Sequence, residues 1–204
     1  MPNARFGAEG ITSLTIYRGE PDRKYSFTFS PFHWMEGGFY YSDITGKEYG
    51  GGFSQSYKDK GFNVKFKLKD QGIYPAFALG LNDFAGTGIY ASEYLVSSYK
   101  INNFDFTLGL GWGNLAGSAT FNNPFKSLSD SFGERVLASG EGGEFNFDSY
   151  FSGEKAAFFG GVNYTINDKF NLKAEYDPTI TPGQVGYEEP ATNFNVALDY
   201  KFSN

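Results

Sequence analysis

Cysteine is absent from the 204 residues, methionine occurs twice and histidine once. The first absence excludes a disulfide framework and any thiolate metal site. A lone His33 excludes a multi-histidine metal centre. Long apolar runs are missing too. The longest mostly apolar stretch, Ile73 to Leu81, is broken by Pro75 and Gly80, and it falls well short of the ~18 residues that mark a membrane helix. A net charge of −6 leaves no basic footprint for nucleic acid. What the chain has in abundance is aromatic side chains (23 Phe, 15 Tyr and 2 Trp, 20% of residues) together with 27 glycines. So many aromatics exclude intrinsic disorder, and the length suits one domain. Met1 is followed by Pro2-Asn3-Ala4-Arg5 with no apolar stretch behind it. Without a signal peptide the chain reads either as cytoplasmic or as a mature or excised segment.

The hydrophobic period is two almost throughout. Phe62 to Lys69, Phe104 to Gly113, Phe170 to Asp177 and Phe194 to Phe202 each alternate apolar with polar or small residues. That pattern specifies strands with one apolar face, and no window shows the i, i+3, i+4 spacing of an amphipathic helix. Ten strands are predicted, over 4–18, 23–32, 34–43, 60–69, 73–83, 89–100, 103–113, 155–166, 169–178 and 192–202. Their connections alternate. Short turns fall at Phe32-His33-Trp34, Asp70-Gln71-Gly72, Asn102-Asn103 and Asn167-Asp168, where Gly, Asn and Asp supply turn chemistry. Long connections fall at 18–23, 44–59, 84–88, 114–154 and 179–191. A meander with its tight turns at one end is an up-and-down antiparallel sheet, and closing it into a barrel removes its edges. Segment 114–154 is too long for a bare loop and suggests an extra hairpin near 132–138 and 144–151, which would make twelve strands.

Periodicity alone does not say which way the apolar face points. Three features favour outward, as in a membrane barrel. The apolar face is Phe, Tyr and Leu, with aromatics near strand ends (Tyr25, Trp34, Phe39, Tyr41, Trp112, Tyr164, Tyr176, Tyr200 and Phe202), as in interfacial girdles. The opposite face holds charges of both signs and glycines (Gly80, Gly109, Gly111, Gly113, Gly161), suited to a narrow lumen. Short turns at one end and long loops at the other are typical of outer-membrane barrels. A soluble ligand-binding barrel, with the apolar face inside, is the alternative.

The last strand resembles the C-terminal assembly signal of bacterial outer-membrane barrels at Asn195, Ala197, Tyr200 and Phe202, with alanine in place of the usual glycine and two residues after the last aromatic. Most of the chain resembles the YjbH-type outer-membrane proteins encoded with exopolysaccharide and capsule genes. The resemblance is carried by an ordered set of segments. It begins with Pro2-Asn3-Ala4-Arg5, Glu9-Gly10, Phe32 to Gly37 and Phe39-Tyr40-Tyr41. It continues through Pro75 to Phe84, Gly86-Thr87-Gly88, Ser92 to Val96, Gly109 to Gly113, Phe151-Ser152-Gly153 and Phe159 to Val162, and ends with Leu172 to Asp177. Asn82, where arginine is expected, and Tyr99-Lys100, where Ser-Lys is expected, depart from the family pattern. The resemblance implies that residues 1–204 are one barrel segment of a longer protein in the bacterial outer membrane. It also implies a non-catalytic role, without cofactor, in exopolysaccharide or capsule secretion. Its partners would be outer-membrane lipid, the barrel-assembly machinery, the polysaccharide and export proteins.

Candidate contact residues follow. Asp83 and Glu93, flanking Gly86-Thr87-Gly88, form a candidate glycan-contacting cluster at the mouth, beside an extracellular loop 114–154; the alternative is a tight turn whose carboxylates are satisfied within the lumen. Gly86-x-Gly88 lacks the Lys-Ser/Thr of a phosphate loop. Trp112 reads as a girdle residue or a stacking platform. Lys173 and Glu175, with Lys65, Lys67, Lys69, Asp105, Asp177, Asp199 and Lys201, fall on the polar face, as a conduit lining or as a salt-bridged filling. Ten strands favour the filling, because ~8 strands give a packed interior and a water-filled channel arrives at ~16–18. His33 reads as an interfacial residue at a turn rather than a catalytic base. Two other functional readings remain: a small structural or adhesive outer-membrane barrel, and an outer-membrane enzyme using His33.

Overall fold

A computed structural model describes residues 1–19, 22–50, 52, 54–118, 121–136, 145, 147–181 and 192–202. Eleven strands form one antiparallel sheet: β1 (Thr12–Arg18), β2 (Asp22–Phe32), β3 (Met35–Glu48), β4 (Ser56–Lys69), β5 (Ala76–Asn82), β6 (Ser92–Ile101), β7 (Phe104–Gly111), β8 (Phe121–Asn122), β9 (Lys155–Thr165), β10 (Phe170–Tyr176) and β11 (Phe194–Tyr200). Ten of them pair in sequence order, and β8 is a two-residue addition beside β9. The up-and-down order predicted from the connections is therefore the order found.

The sheet is strongly curled. One cavity is lined both by Tyr17 of β1 and by Asp177 just after β10. Those strands lie eight strand spacings apart along the sheet, about 38 Å if it were flat. The curl does not amount to closure: among the described residues β1 pairs only with β2, and β11 only with β10.

Register separates two faces. Phe27, Phe39 and Phe62 stand opposite one another across β2, β3 and β4, as do Phe106 and Val162 across β7 and β9. This face is apolar and exposed: Leu14, Ile16, Phe27, Phe62, Phe106, Leu108, Phe158 and Leu198 all lie on it. The other face carries Tyr40, Lys65, Asp105, Asn163 and Glu175. It is crossed by the N-terminal segment, whose contacts run from β10 through β6, β7 and β4 to β3. This is the inner face.

Several expectations are corrected. Residues 4–11 are not strand, and β1 begins at Thr12. Gly10, at φ +82°, takes a left-handed conformation that glycine adopts at little cost, and the chain turns there from the interior to the sheet edge. Of the residues expected to lengthen β1, Ala4, Arg5 and Phe6 pack in the interior instead. Residues 73–75 and 89–91 are likewise connections. The hairpin expected at 132–138 and 144–151 is absent where it is described. Asp130–Gly133 and Phe147–Ser149 are 3-10 turns, and residues 137–144 and 146 lie outside the described residues. Phe132 packs on Phe125, Phe151 packs on Trp112, and Ser129 just before them caps a turn, so these side chains do not alternate between faces.

Glycines on the inner face sit where large side chains cross. A Cβ at Gly80 would come 2.1 Å from the Tyr94 ring, and one at Gly109 would come 2.1 Å from that of Phe159. Tyr94 and Phe159 meet edge to face at 6.3 Å, within a cluster that includes Ala4, Ala78, Val96 and Leu115. Small residues beside large ones therefore fill the interior.

Candidate functional site

The polar inner face is organised by the N-terminal segment. The Met1 nitrogen lies 3.2 Å from Glu175 and 3.7 Å from Asp177. Arg5 donates two bonds to the Asp105 carboxylate, at 2.9 and 2.6 Å, and a third to Gln71. Ala4 N–H donates to Ser98, Lys65 donates to the Arg5 carbonyl and pairs with Glu36, and Gly7 N–H donates to the same Glu36. Charged groups removed from water require such partners. Of the candidates on this face, Glu175 lies against Met1, and Lys173 pairs with Asp199 across β10 and β11 at a half-exposed position. Arg5–Asp105 and Lys65–Glu36 are the more buried pairs, while Lys67 pairs with an exposed Asp70 at the Asp70-Gln71-Gly72 turn.

A second cluster sits inside the long-loop end. Tyr40 hydroxyl donates to Asp59 at 2.9 Å, and Thr87 hydroxyl donates to the other Asp59 oxygen at 2.7 Å. Tyr90 hydroxyl donates to Asp22 at 2.7 Å and lies 2.8 Å from the Ser42 hydroxyl. Lys24 lies over both rings, 4.1 Å from the centre of Tyr40 and 4.4 Å from that of Tyr90. Asp83, at φ +53°, accepts the Tyr90 N–H and is buried against Gly61 and Gly86, where its Oδ1 has no hydrogen-bond partner. Burial without full hydrogen bonding disfavours the ionised form, so its pKa is pushed up to about 6. The same burial, with Asp22 accepting its proton, pushes the Tyr90 phenol up.

Asp83 and Glu93, expected in one cluster, are separated where Asp83, just past β5, leaves the strand alternation at φ +53°. Asp83 turns to the interior. Glu93 stands opposite Leu81 on the outer face, yet it is 1% exposed because the loop after β7 folds over it. Arg135 clamps the Glu93 carboxylate with bonds of 2.9 and 2.7 Å, and the Phe151 N–H adds one at 2.9 Å. Beside them Trp112, expected in an exposed girdle, is fully buried. Its ring stacks on Phe125 at 5.2 Å and meets Phe151 edge-on, and its N–H donates to Asn123. Glu93 and Trp112 hold the loop to the sheet and leave no face for a glycan. Of the other expected girdle residues, Tyr25, Trp34, Phe39, Tyr41 and Tyr200 are about two-fifths exposed, Phe202 is almost fully exposed, and Tyr164 and Tyr176 are half-buried. His33 is exposed at its turn, 4.0 Å from Glu9. In the C-terminal signal, Asn195 and Ala197 fall on the inner face of β11 and Tyr200 on the outer, packed on Phe170; Phe202 follows the strand and packs on Tyr200.

Sequence reasoning missed Arg5, Arg135, Asn123 and the group around Lys24. Failure of alternation before Ile11 was a signal for the N-terminal segment. Arg135 and Asn123 lie in the long loop, where no period marks a partner.

Residues 1–204 match the family described as exopolysaccharide biosynthesis protein YbjH. The chain is 36% identical, over its whole length, to a protein of Escherichia coli K12 described as an uncharacterized lipoprotein, YjbH. The chain spans 30% of that relative's length. No solved structure matches the fold.

Proposed function

This chain belongs to the YbjH exopolysaccharide biosynthesis family, and from that premise we propose that it is the barrel segment of a bacterial outer-membrane protein. In this reading it assists secretion of an exopolysaccharide or capsule and catalyses no reaction itself. The observation that carries the reading is the inverted sheet. Its apolar face is exposed, and its polar face is curled inward, ion-paired and filled. Water penalises such an exposed apolar face; a bilayer rewards it. Strands of 7 to 14 residues bracket the ~9–11 needed to cross at a tilt. In this orientation the long connections face outside the cell, β1 and β11 close the barrel in lipid, and the last strand engages the assembly machinery through Asn195, Ala197, Tyr200 and Phe202.

Purification with and without detergent tests the reading. A membrane barrel refolds into micelles or vesicles, migrates faster on gels before heating than after, and aggregates when detergent is removed. A folded monomer in plain buffer overturns it in favour of a soluble barrel. Deletion of this segment from the full-length protein should lower the amount of polysaccharide outside the cell while leaving the intracellular pool intact.

A further inference from the structure

We propose that the cavity at the long-loop end is a binding pocket for one neutral hexopyranose unit; that the hexose belongs to the secreted polymer rests on the reading above. The cavity measures about 430 Å³, inside the ~300–1,000 Å³ range of small-ligand pockets. Tyr17, Lys24, Asn63, Asn82, Tyr90 and Asn114 supply its polar wall, and Pro2 of the N-terminal segment also lines it.

Each amide there has one end engaged and the other open. Asn63 accepts the Asp83 N–H, which leaves its NH₂ group. Asn114 donates to the Ile89 carbonyl and Asn82 donates to Ser92, which leaves both side-chain carbonyls. Lys24 sits over two rings and forms no ion pair among the described residues. In the same wall Asp22 accepts the Tyr90 hydroxyl on one oxygen and has no partner for the other. Donors and acceptors thus remain available together, on four different elements, around one small space.

Three ligand classes fit this set poorly. An anion would meet the carboxylates of Asp22 and Asp177, which both line the cavity. A metal ion would need a cluster of ligating side chains, and among the described residues no three His, Asp or Glu form one. An apolar ligand would leave every free polar group unsatisfied. Ring hydroxyls each donate and accept, so adjacent hydroxyls of a sugar satisfy the mixture. Because the N-terminal segment fills the face beyond Pro2, the pocket is blind and holds an end or a side of a polymer rather than passing it.

Saturation-transfer NMR on the full chain in micelles tests this with D-glucose, D-galactose and D-mannose, and with D-glucuronate and calcium as comparison arms. At least one neutral hexose should receive saturation, and its affinity should fall roughly fivefold or more in Asn82→Leu and in Asn114→Leu. Lys24→Met gives a third variant should either amide change prevent folding, which gel migration before heating reports. Absence of saturation on all three hexoses overturns the proposal. So does a signal unchanged in the folded variants, or stronger binding of glucuronate or calcium than of any neutral hexose. The two readings fail separately. A chain that folds without detergent yet binds a hexose keeps the pocket and loses the membrane barrel; a detergent-dependent chain that binds none does the reverse.

Discussion

Replacing Arg135 with leucine isolates the interaction that fastens the long loop to the sheet. Glu93 is 1% exposed and its carboxylate is held by two guanidinium bonds and one backbone N–H. Removing the arginine leaves a charge in a dry site with a single remaining donor. Breaking a buried pair from one side costs about 3–5 kcal/mol, which corresponds to two to four orders of magnitude in the equilibrium for opening. The strand pairing of β6 and β7 does not depend on this contact, so the cost falls on the loop as a local unfolding. Trp112 reports it directly. It is fully buried between Phe125 and Phe151, and the second tryptophan, Trp34, is replaceable by phenylalanine on the exposed face. In a Trp34→Phe background, Arg135→Leu should shift Trp112 emission to the red and make the segment between Asn123 and Ser152 rapidly cleavable by protease. The double variant Arg135→Leu with Glu93→Leu removes both charges and should recover much of the loss, since a buried pair exchanged for apolar groups is often neutral. Unchanged emission and cleavage in Arg135→Leu, or a double variant worse than the single, would refute the argument that the pair anchors the loop.

Other outcomes follow from the interior and the outer face. Asp83 titrates near 6 in the fold against an ordinary value of 3.8, so the folded state holds its proton more tightly and stability falls as pH rises between these values. The full penalty, about 3 kcal/mol from the size of that shift, is present above pH ~6; Asp83→Asn should therefore raise the melting temperature at neutral pH and flatten its dependence between pH 4 and 6 relative to the parent. Gly109→Ala drives a methyl into the Phe159 ring and should cost about 1–3 kcal/mol in denaturant titration, with Phe159→Leu restoring part of it. Arg5→Ala frees the N-terminal segment from Asp105; because the chain has no cysteine, a single Thr107→Cys probe should react faster with a maleimide in that variant. Leu108, 62% exposed in the middle of β7, should tolerate arginine in strand pairing yet lose about 2–4 kcal/mol in vesicle insertion.

The strands were legible because each is a long alternation with one chemistry per face. Phe104 to Gly111 and Phe194 to Tyr200 needed nothing but their period. The order was legible from turn lengths. The N-terminal segment was not, although Pro2-Asn3-Ala4-Arg5 and Glu9-Gly10 stood out as family features. A segment that crosses a sheet is defined by its partners, and Glu175, Ser98, Asp105 and Glu36 lie from 29 to 174 residues away. The candidate site failed for a related reason. Asp83 and Glu93 are close in sequence and share a polar character, and strand alternation would place both on the face of Leu81; the left-handed φ of +53° at Asp83 turns it inward, while a loop covers Glu93 on the outer face. Trp112 fits an interfacial aromatic by position. Only Phe125 and Phe151, which carry no periodicity, bury it.

A filled interior constrains any secretion role. Arg5, Lys65, Glu36, Asp105 and Glu175 pair across the inner face, and Tyr94 and Phe159 cross over glycines in the same space. For a sugar polymer to pass through these ten paired strands, the N-terminal segment would have to leave and strand several of those charges at once. Each buried charge without its partner costs several kcal/mol, so passage would require a driving force that a folded sheet alone does not supply. On the function proposed above, the economical arrangement keeps the interior filled, and polymer would meet this segment at the long-loop end. Full-length protein in planar bilayers should accordingly show no conductance attributable to this segment, and deletion of residues 1–9 should create one.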